Sequence, residues 1–128
     1  MPEFVSYEFD SLSDEALAVL DGLGYSKTFT KRLCLHEDNN SDLQMMIIDI
    51  MPNSHYGMHS HQDSDEIAIL KKGELQYIFE DGSSKYLDMN GQQSIIIPKG
   101  LKHSVRSGKR GAQYIEIIKG PFIAKQDF

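Results

Sequence analysis

The sequence predicts an all-β domain, a sandwich or barrel with a short helix in front, and three observations carry that expectation. Short apolar or alternating runs recur about every 8–12 residues with turn residues between them, the usual spacing of small all-β folds. Leu75, Tyr77 and Phe79 alternate with Gln76, Ile78 and Glu80, as a strand with one face more buried requires. Nine such runs cannot pack as one open sheet in a chain of 128 residues, so the sheet must close or double.

The helix comes first, over Ser11–Gly22. Ser11 or Ser13 can cap it, Asp14 and Glu15 suit its first turn, and Gly22 or Gly24 ends it. Leu12, Ala16, Val19 and Leu23 form the expected inward stripe. The strand runs that follow are Thr28–His36, Leu43–Met51, Tyr56–His59, Glu66–Leu70, Glu74–Glu80, Lys85–Leu87, Ser94–Pro98, His103–Ser107 and Ala112–Ile118. Asp38–Ser41, Lys71-Lys72-Gly73, Asp81-Gly82-Ser83, Asn90-Gly91 and Ser107-Gly108 separate them as turns. The expected division is a helical segment, residues 1–25, packing on a barrel formed by residues 26–128.

Bulk chemistry narrows the function classes. The formal charge is −6, with 13 basic against 19 acidic residues and no Lys/Arg cluster of useful size, so a nucleic-acid partner is not expected. No run approaches 18 apolar residues, and the acidic start does not read as a signal peptide, so no membrane partner is expected either. The single cysteine, Cys34, cannot form an internal disulfide, which fits a reducing cytoplasm. Set between Leu33 and Leu35, it reads as a buried strand residue.

The chemistry concentrates in His59-Ser60-His61, Glu66 and His103. Two histidines one residue apart on an extended stretch point to the same side, with β-carbons roughly 6–7 Å apart. Their imidazoles can converge on one metal ion, Glu66 can add a carboxylate from the next strand, and His103 can add a third imidazole. Three neutral nitrogens and one oxygen anion suit a divalent first-row ion such as Fe, Mn, Ni or Zn, and suit calcium poorly. Ligation needs neutral imidazole, so affinity should fall below roughly pH 6.

Taken together, Gly57-x-His59-x-His61-(x4)-Glu66-(x6)-Gly73 resembles the first motif of the cupin superfamily, and Gly91-(x6)-Pro98-x-Gly100-(x2)-His103 resembles the second. Ser107 stands where that pattern usually has asparagine, and Gln92 where aspartate is frequent. The resemblance implies a double-stranded β-helix, or jelly-roll barrel, whose mouth holds one divalent transition metal on His59, His61, Glu66 and His103. It also implies a homodimer. A narrower resemblance covers Arg32–His36, Met46-Ile47-Ile48, Tyr56-x-x-His59-x-His61 and Glu116–Phe122, which look like WbuC-type cupin metalloproteins found with surface-polysaccharide genes.

The function expected from this resemblance is metal-dependent action on a small polar metabolite, with sugar-related compounds among the candidates, by Lewis-acid or oxygen chemistry. Isomerase, lyase and dioxygenase-type reactions all stay open. Glu66 can act as a base as well as a ligand, and Tyr56 is the further catalytic candidate. The alternative is a non-catalytic module that holds or senses a small ligand in the same pocket. Outside the motifs, Arg106 is expected on the face opposite His103. The orientations of Arg32 and Gln44 stay open, and Glu116 is either an acceptor near the site or a cross-strand ion pair.

Overall fold

A computed structural model describes residues 14–25, 30–36 and 40–119 of the chain. Among these residues, helix α1 spans Asp14–Gly22. The strands are β1 (Thr30–Cys34), β2 (Leu43–Ile50), β3 (His55–His59), β4 (Glu66–Phe79), β5 (Ser84–Asp88), β6 (Ser94–Ile97) and β7 (His103–Lys119).

The two long strands organise everything else. β4 and β7 pair antiparallel along their whole length, from Glu66 opposite Ile118 to Phe79 opposite His103. Laid flat, a ladder of that length would hold its ends roughly 43 Å apart, at about 3.3 Å per residue. It is not flat. The register shifts between Leu70 and Lys72 and again between Gly73 and Leu75. Gly73 and Gly111 both take positive φ there, 82° and 68°. A β-carbon on Gly73 would fall 2.0 Å from the Gly111 carbonyl oxygen, so this close backbone crossing has room for no side chain.

Beyond the bend the two halves of the ladder take different neighbours. The C-terminal half of β7 pairs with β2, which pairs with β1, while the first half of β4 pairs with β6. The N-terminal half of β7 pairs with β3, and the second half of β4 with β5. Two sheets, β1-β2-β7-β4-β6 and β3-β7-β4-β5, thus share β4 and β7 and close over one core as an all-β jelly roll. Ile48, Ile50, Leu70, Leu75, Tyr77, Leu87, Val105 and Tyr114 fill it. Each such side chain contributes about 1.5–3 kcal/mol by leaving water.

Several expectations change. Lys71-Lys72-Gly73 and Ser107-Gly108 are not turns between strands but parts of continuous bent strands, so nine runs become seven strands. Apolar alternation stops at such a bend just as it does at a turn. Asn90-Gly91 does turn the chain, with Gly91 N donating to Asp88 O at 3.3 Å. Its flanking strands both pair with β4 rather than with each other, so it is a crossover.

In α1 the inward residue is Leu20, fully buried against Ile47 and Ile115 on the outer face of the first sheet. Val19 and Leu23 are exposed, so the helix faces the sheet about one residue out of the expected phase. Leu12 and the capping serines lie outside the described residues, as does the side chain of Ala16. Cys34 ends the edge strand β1 and is exposed rather than buried. Among the described residues β1 pairs with β2 on one side only. Among the described residues no helix is long and apolar enough to cross a membrane.

Candidate metal centre

Glu66 opens β4 and His103 opens β7, which places them at opposite ends of the long ladder. Yet His103 Nε2 lies 3.5 Å from Glu66 Oε2, because the bend brings the two ends of the ladder over one another. His59 closes β3 directly opposite His103 in register. His61 follows where the chain leaves the strand, and Gly100 N donates to its carbonyl at 2.7 Å. The next residues are anchored in turn: Lys99 N donates to Asp65 Oδ1 at 2.9 Å and Lys119 N to Ser64 Oγ at 2.7 Å. The short link from His61 to Glu66 is therefore fixed at both ends of the barrel mouth.

The ring orientations follow from the backbone. His59 Nδ1 is 3.0 Å from Gly57 O, and His103 Nδ1 is 2.9 Å from Leu101 O. With Nδ1–H donating to these carbonyls, each ring turns its Nε2 lone pair to the site. One ligand atom from each of His59, His61, Glu66 and His103 lies within 4.8 Å of the others. The ring centroids are 4.4 Å apart for His59 and His103, and 5.5 Å for His59 and His61. All four predicted ligands are thus brought together.

The residues fit a metal ion. His103 Nε2 is buried and makes no hydrogen bond of good geometry, so a nitrogen lone pair is aimed into the cluster without a donor to meet it. Three imidazole nitrogens and a carboxylate oxygen make the donor set that divalent first-row metals favour.

Electrostatics prepare the same atoms. Burial pushes the His59 imidazole down, so it is neutral near pH 7. Burial alone would raise Glu66, but the Glu116 carboxyl beside it, the His103 ring and the hydrogen bond with His61 hold it well below the usual carboxylate range. For His103 burial works downward, and the Glu66 carboxylate outweighs it and raises the ring. Glu116 goes the other way: burial and the adjacent Glu66 charge push it well up, against the pull of Arg32.

Glu116 and Arg32 are what the sequence left unsettled. Arg32 Nη1 donates to Glu116 Oε2 at 3.1 Å, and Glu116 Oε1 lies 3.9 Å from His61 Nε2. Glu116 is therefore both a cross-strand ion pair and a neighbour of the ligands. The signal was parity: in β7, Ala112, Tyr114 and Ile118 face the core, so Glu116 must face it too. Gln44 is buried, with Nε2 3.5 Å from Ser41 O. Arg106 is exposed, as alternation from His103 requires, and so is His55. His36 Nδ1 accepts from Met45 N at 3.2 Å. The backbone of Tyr56, the further catalytic candidate, lies in β3, and its side chain is outside the described residues. A shallow groove of about 400 Å³ between Leu43, Ser64, Ile67, Lys99, Ile117 and Lys119 holds none of the four ligands. Its lining mixes apolar side chains with Asp63, Asp65, Lys99 and Lys119 and includes no histidine, which makes it a weaker candidate than the histidine cluster.

The chain has the fold of the small cupins. Similar solved structures include KdgF from Halomonas sp., with a TM-score of 0.64, 15% identity, and coverage of 81% of this chain and 87% of that one. A cupin-2 domain containing protein from Shewanella frigidimarina matches with a TM-score of 0.63 at 22% identity, covering 87% and 96%. An RmlC-like cupin from the same organism matches with a TM-score of 0.62 at 21% identity, covering 81% and 86%. A domain of unknown function, DUF6016, matches residues 28–89, just under half of the chain. The uncharacterized protein YdbB of Bacillus subtilis is 44% identical over 52 residues, 41% of this chain and 44% of that protein, so the match spans less than half of that relative's length. These likenesses show the fold. The narrower WbuC-type likeness rests on the sequence motifs alone.

Proposed function

We propose that the protein is a metal-dependent cupin enzyme acting on a small polar metabolite, with a sugar-related compound in a surface-polysaccharide setting as the first class to test. The observation that carries this reading is the convergence of His59, His61, Glu66 and His103 within 4.8 Å at the barrel mouth. A divalent transition metal held there supplies Lewis acidity toward substrate oxygens, or oxygen chemistry where the metal is iron.

The chain's own groups do the rest. His59 and His103 offer Nε2 because their Nδ1 atoms are engaged by Gly57 and Leu101. Glu66 and His103 are almost wholly buried, so the donors face a site with little competing water. Glu116 has no place in the donor set yet touches Glu66 and His61, which supports an enzyme over a passive binding module: it puts a second carboxyl where a proton can be held beside Glu66. Tyr56 is the further candidate for a catalytic hydroxyl.

The test is a screen of sugar nucleotides and small keto acids, in air, with Fe(II) or Mn(II) supplied, reading binding and product separately. Turnover of one class, lost in His59→Ala, is the expected result. Tight binding without product across the screen would overturn the enzyme reading in favour of a binding or sensing module.

A further inference from the structure

We infer that Arg32 and Glu116 form a positioning pair that sets the orientation of Glu66 in the metal centre. The inference rests on the metal reading above and deepens it. Arg32 belongs to β1, the strand farthest from the ligands along its sheet, with β2 between it and β7. It reaches past Met46, whose Sδ lies 4.0 Å from Nη1, to hold Glu116 Oε2 at 3.1 Å. That contact leaves Glu116 Oε1 turned toward the ligands, 3.9 Å from His61 Nε2, the same nitrogen that Glu66 Oε1 meets at 3.1 Å, so the two carboxyls stand side by side. Glu66 in turn directs Oε1 to His61 Nε2 at 3.1 Å and Oε2 toward His103 Nε2 at 3.5 Å.

A glutamate has three rotatable bonds, and a ligand carboxylate that must choose between two histidines needs an outside partner to hold one rotamer. Glu116 is that partner, and Arg32 is what stops Glu116 from turning away. The arrangement is costly if it has no task. A buried arginine and two carboxyls in contact pay a desolvation penalty that apolar residues of the same size would avoid. Arg32 and Glu116 have side-chain exposures of only 13% and 5%. Toward the metal both act through the ligands they hold, as positioning residues.

The experiment titrates full-length protein with Co(II) and reads affinity together with the visible absorption bands, which report ligand geometry. Glu116→Ala should weaken Co(II) binding about 10–100-fold, the usual cost of losing a partner behind a metal ligand, and shift the bands. Glu116→Gln keeps the shape and a hydrogen bond to Glu66, so it should recover most of the affinity and the wild-type bands. Arg32→Met, which removes the ion pair with Glu116 and keeps most of the side chain's bulk, should shift the bands in the same direction as Glu116→Ala. Combining it with Glu116→Ala should add little, because the two act as one unit. A merely structural role would lower melting temperature in all variants and leave the bands unmoved, and that result overturns the inference. Should Glu116→Ala fail to fold, Arg32→Met and Glu116→Gln decide it: wild-type bands and affinity in Arg32→Met are a refutation. Failure of the wild-type protein to bind Co(II) overturns the metal reading itself. Wild-type binding with unaltered variants overturns only the positioning pair.

Discussion

Gly73→Ala is the perturbation that tests how the fold makes the site. Alanine at φ 82° costs about 1–2 kcal/mol for the left-handed backbone alone. The new β-carbon would also sit 2.0 Å from the Gly111 carbonyl oxygen and 2.8 Å from the Ala112 α-carbon, and both are backbone atoms that no side-chain rotation can clear. The two long strands must separate there, with an overpacking cost of about 1–3 kcal/mol and a loss of about 0.5–1.5 kcal/mol for a ladder hydrogen bond that breaks. The sum is about 3–6 kcal/mol, a large share of the roughly 5–15 kcal/mol that holds a domain folded. Gly100→Ala is the internal control. Its φ is 81°, but nothing lies within 4 Å of its β-carbon, so it pays the backbone term of about 1–2 kcal/mol and no more. Urea denaturation with far-UV detection compares the two. Gly73→Ala should lose at least about twice the stability of Gly100→Ala, or fail to fold. Any Gly73→Ala that does fold should bind metal poorly, since the bend is what brings Glu66 to His103. Equal loss in the two variants would refute the argument that the bend is sterically closed.

The remaining predictions concern the frame and the titration of the site. Ser107 Oγ donates to Met51 O and accepts from Ser54 N at 3.0 Å, tying the segment before β3 to β7. Ser107→Ala leaves both backbone groups without that partner and should cost about 1–3 kcal/mol in urea denaturation; a loss below about 0.5 kcal/mol contradicts the tie. Metal affinity should fall with acid from above the ordinary imidazole value of 6.5, because His103 is raised and must lose its proton to bind. Over that range affinity should drop about tenfold per pH unit for each proton displaced, and a flat Zn(II) titration between pH 8 and 6 contradicts it. Metal-free protein should show the opposite slope. A raised His103 stabilises the fold in its protonated form, fully below 6.5 and progressively less as pH rises through its folded value. The raised Glu116 adds in the same direction above 4.5. The lowered His59 opposes them mainly near 6.5, so metal-free protein that grows more stable from pH 7.5 to 9 contradicts both assignments.

Much of this was legible because the residues concerned announce themselves locally. His59, His61, Glu66 and His103 could be grouped from residue type and spacing, and period-two alternation exposed the strands around them. What spacing could not show was the way the chain folds back. Lys71-Lys72-Gly73 and Ser107-Gly108 read as turns because a bend interrupts apolar alternation just as a turn does. Only pairing with β7 shows β4 to be continuous. Cys34 looked buried from its apolar neighbours, but burial on β1 depends on what lies beside the sheet edge. Arg32 and Glu116 are 84 positions apart and meet only through the β1-β2-β7 register, so nothing local marks their contact.

The central claim is that this barrel mouth is built to hold one transition metal. Protein purified without a nickel column and without added metal, then measured by elemental analysis, tests it most directly. The account predicts about one first-row metal per chain, lost in His59→Ala and in His103→Ala. Metal-free protein that takes up no Fe(II), Mn(II), Ni(II) or Zn(II), or variants that take up as much as the wild type, would contradict it.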